Sequence, residues 1–407
     1  MLTFLSKKMM SRSFKKTIYR FQELKPISFK GSFGVYLHVP FCYSKCSFCP
    51  FYKEIYTQRL KELYLKTLLT EIEDADISGV AKWVYFGGGT PNTLSLEELS
   101  KIVNLLSSKV KIENMGIELL PSLLTKDYLA GLEKIGFTKI SVGIESFSKK
   151  VSNLTGRTDD KKMSYKEIIE TAKKLGLWIN VDLMVGLPGQ TEKVFIGDIS
   201  EISNIQPDQV TIYPYMSIRN NGRSTLPEKT QFRFIEQAAE LLISSEYTRK
   251  GVWVFTRGDE LYDSSRDELI EDYAGFGPAT FSTGEGYKIV NPDLFSYVFA
   301  IKNGKKMAFI APKTKATDDW RKFARMIYDL KCEPSDSFPE YIKYYIKLLK
   351  ATGYCNSGHL TKKGIFFTHA ITKTVVESLP FPLQNPSTVE NYSDYLSFKN
   401  DALKRMN

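Results

Sequence analysis

The sequence predicts an α/β protein with a partial (β/α)6 TIM-like barrel of parallel strands and a C-terminal, mostly helical accessory domain. Between about residues 35 and 216, six short apolar runs alternate with segments of helical periodicity. Polar or glycine-rich motifs follow several of these runs directly. The alternation ends near residue 220, and helical patterns dominate from about Trp320. Such an alternation is typical of a parallel sheet covered by helices.

The predicted elements follow one another in a regular order. The strands cover residues 35–39, 83–86, 116–119, 139–142, 178–185 and 209–213. The helices cover residues 58–76, 125–135, 163–175 and 194–205, and another begins at Ser95, which forms a capping-box pattern with Glu98. Because sites in parallel α/β folds gather at the carboxyl ends of the strands, the residues that follow each strand are the first candidates for function.

Composition narrows the functional classes. The chain has 407 residues, of which 43% are hydrophobic, as in a globular protein with a large core. It has no run of about 18 apolar residues, so we expect no transmembrane helix. Its 56 Lys and Arg against 46 Asp and Glu suit an anionic partner, such as nucleic acid, a phosphate, a polycarboxylate or an acidic redox protein, but they also suit general solubility.

Three of the five cysteines lie close together just after the first predicted strand. Cys42, Cys46 and Cys49 form the pattern C-x3-C-x2-C. Structural zinc needs four ligands, and the sequence nearby offers only His38, whose place along the strand makes it a poor fourth ligand. A [4Fe–4S] cluster held by three thiolates would leave one iron open to a small molecule. The spacing alone leaves both metal centres possible.

Glycines, carboxylates and an arginine follow the later strands. Glycines let a backbone approach a ligand closely, carboxylates accept hydrogen bonds from ammonium or ribose groups, and arginine can bind a carboxylate with two hydrogen bonds. The residues are Gly87, Gly88, Gly89, Thr90, Glu118, Glu145, Arg157 and Asp182. Each one alone has an ordinary structural explanation. Their order and their positions at strand ends favour a single binding site.

Together these motifs resemble the radical S-adenosylmethionine (SAM) superfamily, and within it the oxygen-independent coproporphyrinogen III oxidase-like family. The resemblance rests on YLHVPFC at residues 36–42, GGGTP at 87–91 and NVDLMVGLPGQT at 180–191. It implies that Cys42, Cys46 and Cys49 hold a catalytic [4Fe–4S] cluster. It also implies that SAM is bound by Tyr36, Gly87, Gly88, Gly89, Thr90, Glu118, Glu145, Arg157, Asp182, Met184 and Met216.

The resemblance also suggests a division of the chain. We expect a basic N-terminal arm at residues 1–30, a radical SAM core barrel at 31–220, a mixed extension of the family's type at 221–320 and the C-terminal accessory domain at 321–407. The first twenty residues carry six basic residues and no acidic one. They form either a solvated tail or an arm that folds over the site.

The family implies a cytoplasmic enzyme that acts on a tetrapyrrole and takes electrons from reduced flavodoxin or ferredoxin, without nucleic acid or membrane as a partner. The first expected activity is oxidative decarboxylation of propionates in porphyrin biosynthesis. However, Pro50-Phe51-Tyr52 stands where the oxidases carry a further cysteine and heme chaperones carry Asp-Phe. This sequence resembles that of anaerobic heme-degrading methyltransferases. A heme chaperone and methyltransferases with other substrates also stay open.

Several residues outside these motifs have possible substrate roles. Arginines after the sixth strand could form a rim for propionates, or could simply be solvated. His359 and His369 could ligate heme iron, although an ordinary helix or turn position is the stronger expectation. We expect Cys332 and Cys355 to be buried free thiols. The candidate rim residues are Arg219, Arg223, Arg257 and Arg266.

Overall fold

A computed structural model describes residues 2–15, 17–24, 28–157, 162–216, 226–258, 272–284, 286–377 and 382–406. The side chains of residues 9–15 lie outside this description. None of the helices in these ranges is long and apolar enough to cross a membrane.

The described strands are numbered in chain order. They are β1 (Arg20–Glu23), β2 (Ser28–Val39), β3 (Phe41–Cys42), β4 (Glu54–Ile55), β5 (Asp76–Gly88), β6 (Val110–Ile112), β7 (Met115–Leu119), β8 (Lys139–Glu145), β9 (Trp178–Val185), β10 (Gln209–Pro214), β11 (Thr248–Arg249), β12 (Val254–Thr256), β13 (Tyr273–Phe276), β14 (Phe281–Gly284), β15 (Tyr287–Val290), β16 (Met307–Pro312), β17 (Cys355–Asn356) and β18 (His359–Leu360).

The helices of the described ranges are numbered in the same way. They are α1 (Leu2–Lys15), α2 (Gln58–Glu73), α3 (Leu96–Ser107), α4 (Lys126–Ile135), α5 (Lys149–Leu154), α6 (Tyr165–Lys174), α7 (Glu192–Ile205), α8 (Glu228–Ser244), α9 (Leu294–Lys302), α10 (Lys315–Tyr328), α11 (Glu340–Ala351), α12 (Lys362–Glu377) and α13 (Tyr392–Met406).

Six parallel strands lie side by side in chain order at the centre of the main sheet. Their order is β2, β5, β7, β8, β9, β10. This arrangement confirms the predicted parallel core. On the other side of β2 lies β13, which is also parallel to it, and antiparallel strands extend both edges. In the described part of the chain the sheet stays open, with β1 and β11 at its edges.

Local sequence explains where the helices begin. The Thr57 hydroxyl accepts the Leu60 amide at 3.2 Å at the start of α2. Ser95 and Glu98 make both hydrogen bonds of the predicted capping box, at 3.2 and 2.8 Å. The prediction that α2 reaches residue 76 is wrong, because the helix ends at Glu73 and β5 begins at Asp76.

The two faces of the parallel strands differ in composition. The face toward the helices carries fully buried aliphatic and aromatic residues such as Val35, Phe86 and Ile140. Because successive strand residues point to opposite faces, the alternate positions form a second, inner face. Tyr36, Glu118 and Asp182 lie on it and are only half-buried. The inner face therefore positions the candidate site.

The C-terminal part has its own hydrophobic cluster, formed mainly by α10, α11, α12 and the hairpin β17–β18. Cys332 and Cys355 form a disulfide within it, with 6.1 Å between their Cα atoms. The prediction of free thiols is therefore wrong.

The basic N-terminal segment contains α1, which packs against α12. Its Thr3 hydroxyl lies 3.2 Å from the Tyr354 hydroxyl, and Lys7 pairs with Glu228 at 2.7 Å. These described contacts tie α1 to the C-terminal part and to α8. The division of the chain at residues 30, 220 and 320 stays a prediction.

Candidate functional site

The three clustered cysteines lie on the loop that leaves β2 through β3. All three are free, half-buried thiols. The Thr90 hydroxyl donates to the Cys42 sulfur at 3.4 Å, and the Cys49 amide donates to the Cys46 carbonyl at 3.3 Å. The Lys53 ammonium donates to the Cys49 carbonyl at 2.8 Å. The loop therefore holds the thiols beside the glycine motif that follows β5.

Burial favours the protonated form of two of these thiols. Burial raises the pKa of Cys46, and the Arg157 guanidinium acts in the opposite direction. Burial also raises the pKa of Cys42, against the hydrogen bond from Thr90. Iron would displace these thiol protons, as metals do at coordinating cysteines.

The arrangement does not suit a single metal ion. Within the described ranges, no group of three or more His, Cys, Asp or Glu is placed to hold one ion. A cubane cluster instead binds each thiolate to a different iron, so it accepts ligands that do not converge on one point. The chemistry of the donor set, three free thiols on one loop, therefore fits a [4Fe–4S] cluster better than zinc.

The glycine motif brings backbone close to the cysteine loop. Gly88 has a φ of 111°, and an added Cβ would lie 2.6 Å from the His38 ring, so a larger residue would not fit. The Gly88 amide donates to Glu118 at 3.3 Å. Asn92 exchanges two hydrogen bonds, each of 3.0 Å, with the backbone of Leu120. The loop is thereby joined to the end of β7.

Three carboxylates from neighbouring strands influence one another on the inner face. Burial raises the pKa of Glu118 to about 7, and Asp182 acts in the same direction. Burial also raises the pKa of Glu145 to about 7, against the attraction of Arg157, while Asp182 again adds to the increase. A cationic ligand with hydroxyl groups would compensate this negative charge. The ammonium, sulfonium and ribose of SAM meet that description.

Arg157 lies between these carboxylates and the cysteine loop. It donates to Glu145 at 3.4 Å and to the Gly143 carbonyl. Its positive charge opposes the increase in the pKa of both Cys42 and Cys46 that burial causes. This position suits the predicted contact with a ligand carboxylate.

The remaining predicted residues lie in or directly after β2, β9 and β10. Asp182 accepts hydrogen bonds from Ser141 at 2.6 Å and from Asn180 at 2.8 Å. Met184 packs with Cys46 and Cys49 in a small hydrophobic cluster. Met216 follows β10 and packs against the main core, and the Tyr36 hydroxyl lies 3.5 Å from the His38 ring.

Several buried polar residues that position the site were not predicted from the sequence. Asp198 accepts the Ser146 hydroxyl and the Phe147 amide, each at 2.8 Å, and so holds the turn after Glu145. The Gln190 side chain accepts the Gly186 amide and donates to the Met184 carbonyl. The GLPGQT motif around Gln190 could have indicated that this residue positions the site. No motif adjacent to Asp198 indicates such a role.

Of the residues proposed for the substrate rim, the structure describes Arg257, and it lies away from this site. Arg257 lies at the amino-terminal end of β10, where its amide donates to Asp208 and its side chain pairs with Glu246 at 2.6 Å. The expectation that it forms a rim with the others is therefore wrong, because β12 runs antiparallel to β10. Arg219, Arg223 and Arg266 lie outside the described residues.

The three histidines have structural positions. His38 is buried, and its Nε2 donates to the Tyr52 carbonyl at 3.0 Å, while burial lowers its pKa to about 4. Trp253 donates to Nδ1 of the buried His369 at 3.1 Å, which leaves the proton of the neutral ring on Nε2. This tautomer disfavours iron ligation by His369. His359 lies in the hairpin strand β18.

Comparison with known proteins identifies a domain in the first half of the chain. Residues 36–201 match the model of the Radical SAM superfamily. The chain contains a radical SAM domain. This region holds the three cysteines, the glycine motif, Glu118 and Asp182. Proteins of this superfamily use a [4Fe–4S] cluster and SAM, so these are its cofactors.

Two curated relatives and one solved structure extend the comparison beyond the radical SAM domain. The anaerobilin synthase of Escherichia coli O157:H7 is 28% identical over 70% of this chain and 69% of its own length. The oxygen-independent coproporphyrinogen III oxidase of Escherichia coli strain K12 is 27% identical over 64% of this chain, but only 59% of its own length is matched. The structure of coproporphyrinogen III oxidase (HemN) from Escherichia coli shares the fold, with a TM-score of 0.72, 21% identity and coverage of 88% of this chain and 96% of that chain.

Proposed function

We propose that the chain is an enzyme that performs SAM-dependent radical chemistry on a tetrapyrrole, with oxidative decarboxylation of propionates as the first candidate reaction. The observation that carries this proposal is the layered inner face of the parallel sheet. Carboxylates lie at the carboxyl ends of the strands, beside the cysteines. Aromatic rings and a lysine lie one layer deeper.

The upper layer suits the two cofactors. Cys42, Cys46 and Cys49 would hold the cluster, and when bound, the cluster and SAM supply a carbon-centred radical that can remove a hydrogen atom from a substrate. The backbone of Gly87, Gly88, Gly89 and Thr90 would receive the SAM amino group. Glu118, Glu145 and Asp182 would bind the ammonium and ribose groups, and Arg157 the carboxylate. Met184 and Met216 would complete the pocket together with the hydroxyl of Tyr36, which lies beside Gly87 although the tyrosine belongs to the layer below.

The lower layer follows from the strand register. Tyr36 is paired with Tyr85, and Lys139 is paired with Trp178, while Gly116 is the common neighbour of Tyr85 and Lys139 across β7. The Tyr36 and Tyr85 rings are stacked, with their centroids 6.3 Å apart. The Lys139 ammonium lies 5.5 Å from the centre of the Trp178 ring.

This layer has the chemistry expected for a flat macrocycle that carries carboxylates. Aromatic rings offer apolar surface with flat faces, and a lysine supplies a charge for a propionate. The register places the lower layer two residues before Glu118, about 7 Å along a strand, and four residues before Asp182, about 13 Å along a strand. A bound macrocycle would therefore lie next to the SAM layer.

One observation favours a second reaction, methylation and opening of the heme ring. Phe51 occupies the region where the oxidases carry a further cysteine, and its side chain is 58% exposed. The chain thus lacks that thiol near the cluster, and the similarity to anaerobilin synthase agrees with this difference. Both reactions need the same SAM apparatus and both substrates carry propionates.

Product analysis separates the two reactions. The purified protein would be incubated anaerobically with SAM, dithionite and either coproporphyrinogen III or heme, with Cys46→Ala as the inactive control. Release of carbon dioxide supports decarboxylation, whereas loss of the Soret band with release of iron supports ring opening. Stable heme binding without formation of 5′-deoxyadenosine would contradict both and indicate a heme chaperone. The need for low-potential electrons supports a cytoplasmic location with flavodoxin or ferredoxin as donor.

A further inference from the structure

A buried lysine of the C-terminal part contacts the chain where it leaves strand β10. Lys373 lies on α12, and only 6% of its surface is exposed, although lysines are rarely buried so deeply unless they are paired. Its ammonium donates to the Tyr215 carbonyl, and also to the Glu377 carboxylate at 2.8 Å. These two acceptors offset the cost of removing the charge from water. The lysine therefore connects the C-terminal part to the parallel sheet.

Tyr215 follows β10 directly, and both polar groups of its backbone are held. Its amide donates to the carbonyl of Val185, the last residue of β9, at 2.8 Å. Its carbonyl accepts the hydrogen bond from Lys373. Because the Tyr215 carbonyl and the Met216 amide belong to one planar peptide group, Lys373 also fixes the orientation of the peptide that leads into Met216. The family resemblance assigns Met216 to the SAM pocket.

The side chain of Tyr215 connects this peptide to the cysteine loop. It is buried in the small hydrophobic cluster against which Cys46, Cys49 and Met184 pack. Since protein interiors are closely packed, a shift of Tyr215 would displace its neighbours as well. The residue that Lys373 holds thus lies between the predicted cluster ligands and the predicted SAM contacts.

A second hydrogen bond joins the C-terminal part to the end of the cysteine loop. The side-chain amide of Gln384, which lies beyond the end of α12, donates to the Pro50 carbonyl at 2.7 Å. Pro50 directly follows Cys49. The C-terminal part therefore contacts the surroundings of the site at two places, and the contact through Lys373 is the one that uses a buried charge.

We propose that Lys373 is a positioning residue of the SAM pocket, which acts by holding the Tyr215 carbonyl. This inference rests on the proposed function, because Met184 and Met216 contact SAM only if that assignment is correct. Lys373 acts through Tyr215, and no bond forms or breaks at its ammonium. The inference gives the C-terminal part a role in SAM binding in addition to any role in stability.

SAM titration of a lysine variant tests the proposal. Lys373→Met removes the ammonium and keeps most of the apolar side chain, while the Glu377 side chain is 26% exposed and so stays accessible to water. The matched control is Lys362→Met, which removes the same charge at an exposed position of the same helix. After anaerobic reconstitution we expect equal iron and sulfide content in both. Calorimetry should show SAM affinity about tenfold or more weaker in Lys373→Met, and less than about twofold change in the control.

A conservative variant separates positioning from a purely structural role. Lys373→Arg keeps the positive charge and has donors for both the carbonyl and the carboxylate, so its SAM affinity should stay within about threefold of that of the unmodified protein. A lysine that only stabilised the fold would lower the midpoint of thermal unfolding in Lys373→Met and leave the SAM affinity of the reconstituted protein unchanged. Equal loss of SAM affinity in the Arg and Met variants would contradict the proposal.

Three further results would overturn the positioning role. The first is equal SAM affinity of Lys373→Met and the unmodified protein. The second is the same loss of affinity in Lys362→Met, which would show that net charge matters rather than the contact with Tyr215. The third is weaker SAM binding that only parallels a loss of iron and sulfide. Failure of the unmodified protein to bind SAM after reconstitution would instead contradict the proposed function, and this inference with it.

Discussion

The two faces of the parallel sheet have opposite properties although they come from the same strands. On β9, Leu183 faces the helices and is fully buried in the main core. Its neighbour Asp182 faces the other way, is half-buried and accepts hydrogen bonds from Ser141 and Asn180. This alternation lets each strand contribute to stability on one side and to binding on the other. Substitutions on the two faces should therefore have separable effects.

The largest effect is expected at the cysteine loop. Cys46→Ala should abolish the brown absorption at about 400 nm and all SAM cleavage, because two remaining thiolates would not retain the cluster. Anaerobic reconstitution followed by absorption spectroscopy measures this. Cys355→Ser is the matched control, since Cys355 is bonded to Cys332 in the C-terminal part, and it should keep the chromophore. Equal loss in both variants would contradict the assignment.

Asp182 and Leu183, which are adjacent in β9, give the sharpest test of the difference between the two faces of the sheet. Asp182→Asn should weaken SAM binding by about 10–100-fold, since hydrogen bonds to charged groups contribute about 1.5–3 kcal/mol. Leu183→Ala should instead lower the free energy of unfolding by about 2–5 kcal/mol through a core cavity. Calorimetric SAM titration and denaturant unfolding measure the two quantities. If both variants lost the same property, the separation of the two faces would be wrong.

Two carboxylates of the inner face make SAM binding dependent on pH. Glu118 and Glu145 have pKa values raised to about 7, mainly by burial. Below this pH they hold protons and lose their attraction for a cation, so SAM affinity should fall as pH decreases from 8 to 6. The slope should approach tenfold per pH unit for each proton released on binding. Titrations in buffers of different ionisation enthalpy detect those protons, and a flat profile for unmodified protein would refute the role of both carboxylates.

The smallest effect is expected in the lower layer. Lys139→Met should weaken binding of the tetrapyrrole by about 3–10-fold, because it removes one charge that faces a propionate while the Trp178 ring remains. SAM affinity should not change. Anaerobic titration of heme or coproporphyrinogen III measures this, and Lys111→Met, at an exposed position of β6, serves as control. Unchanged affinity in Lys139→Met would remove the proposed propionate contact.

Much of the parallel core could be predicted because the signals are local. The bounds of β9 agree with the prediction, and Ser95 with Glu98 forms the expected capping box. In contrast, β2 begins at Ser28 rather than at residue 35, because pairing with β5 extends through glycines such as Gly31 that have little strand preference. The parallel strand β13 was not predicted, since its pairing with β2 joins segments far apart in sequence.

In the candidate site, too, local patterns could be predicted and long-range contacts could not. Glu118 and Asp182 were recognisable because they lie at or in predicted strands beside motifs. Asp198 was not, because its role comes from contacts with Ser146 and Phe147 about fifty residues away. Arg257 was placed at the wrong end of the sheet, because the sequence does not show that β12 runs back along β10. Long-range pairing, rather than local pattern, decides these positions.

The central claim is that Cys42, Cys46 and Cys49 hold a [4Fe–4S] cluster that binds SAM. Electron paramagnetic resonance tests this claim most directly. It is recorded on the anaerobically reconstituted, dithionite-reduced protein with and without SAM, and it is combined with iron and sulfide analysis. We predict about four irons and four sulfides per chain, and a cluster spectrum that changes when SAM is added. Bound zinc without iron or sulfide, or a cluster spectrum that SAM leaves unchanged, would contradict the account.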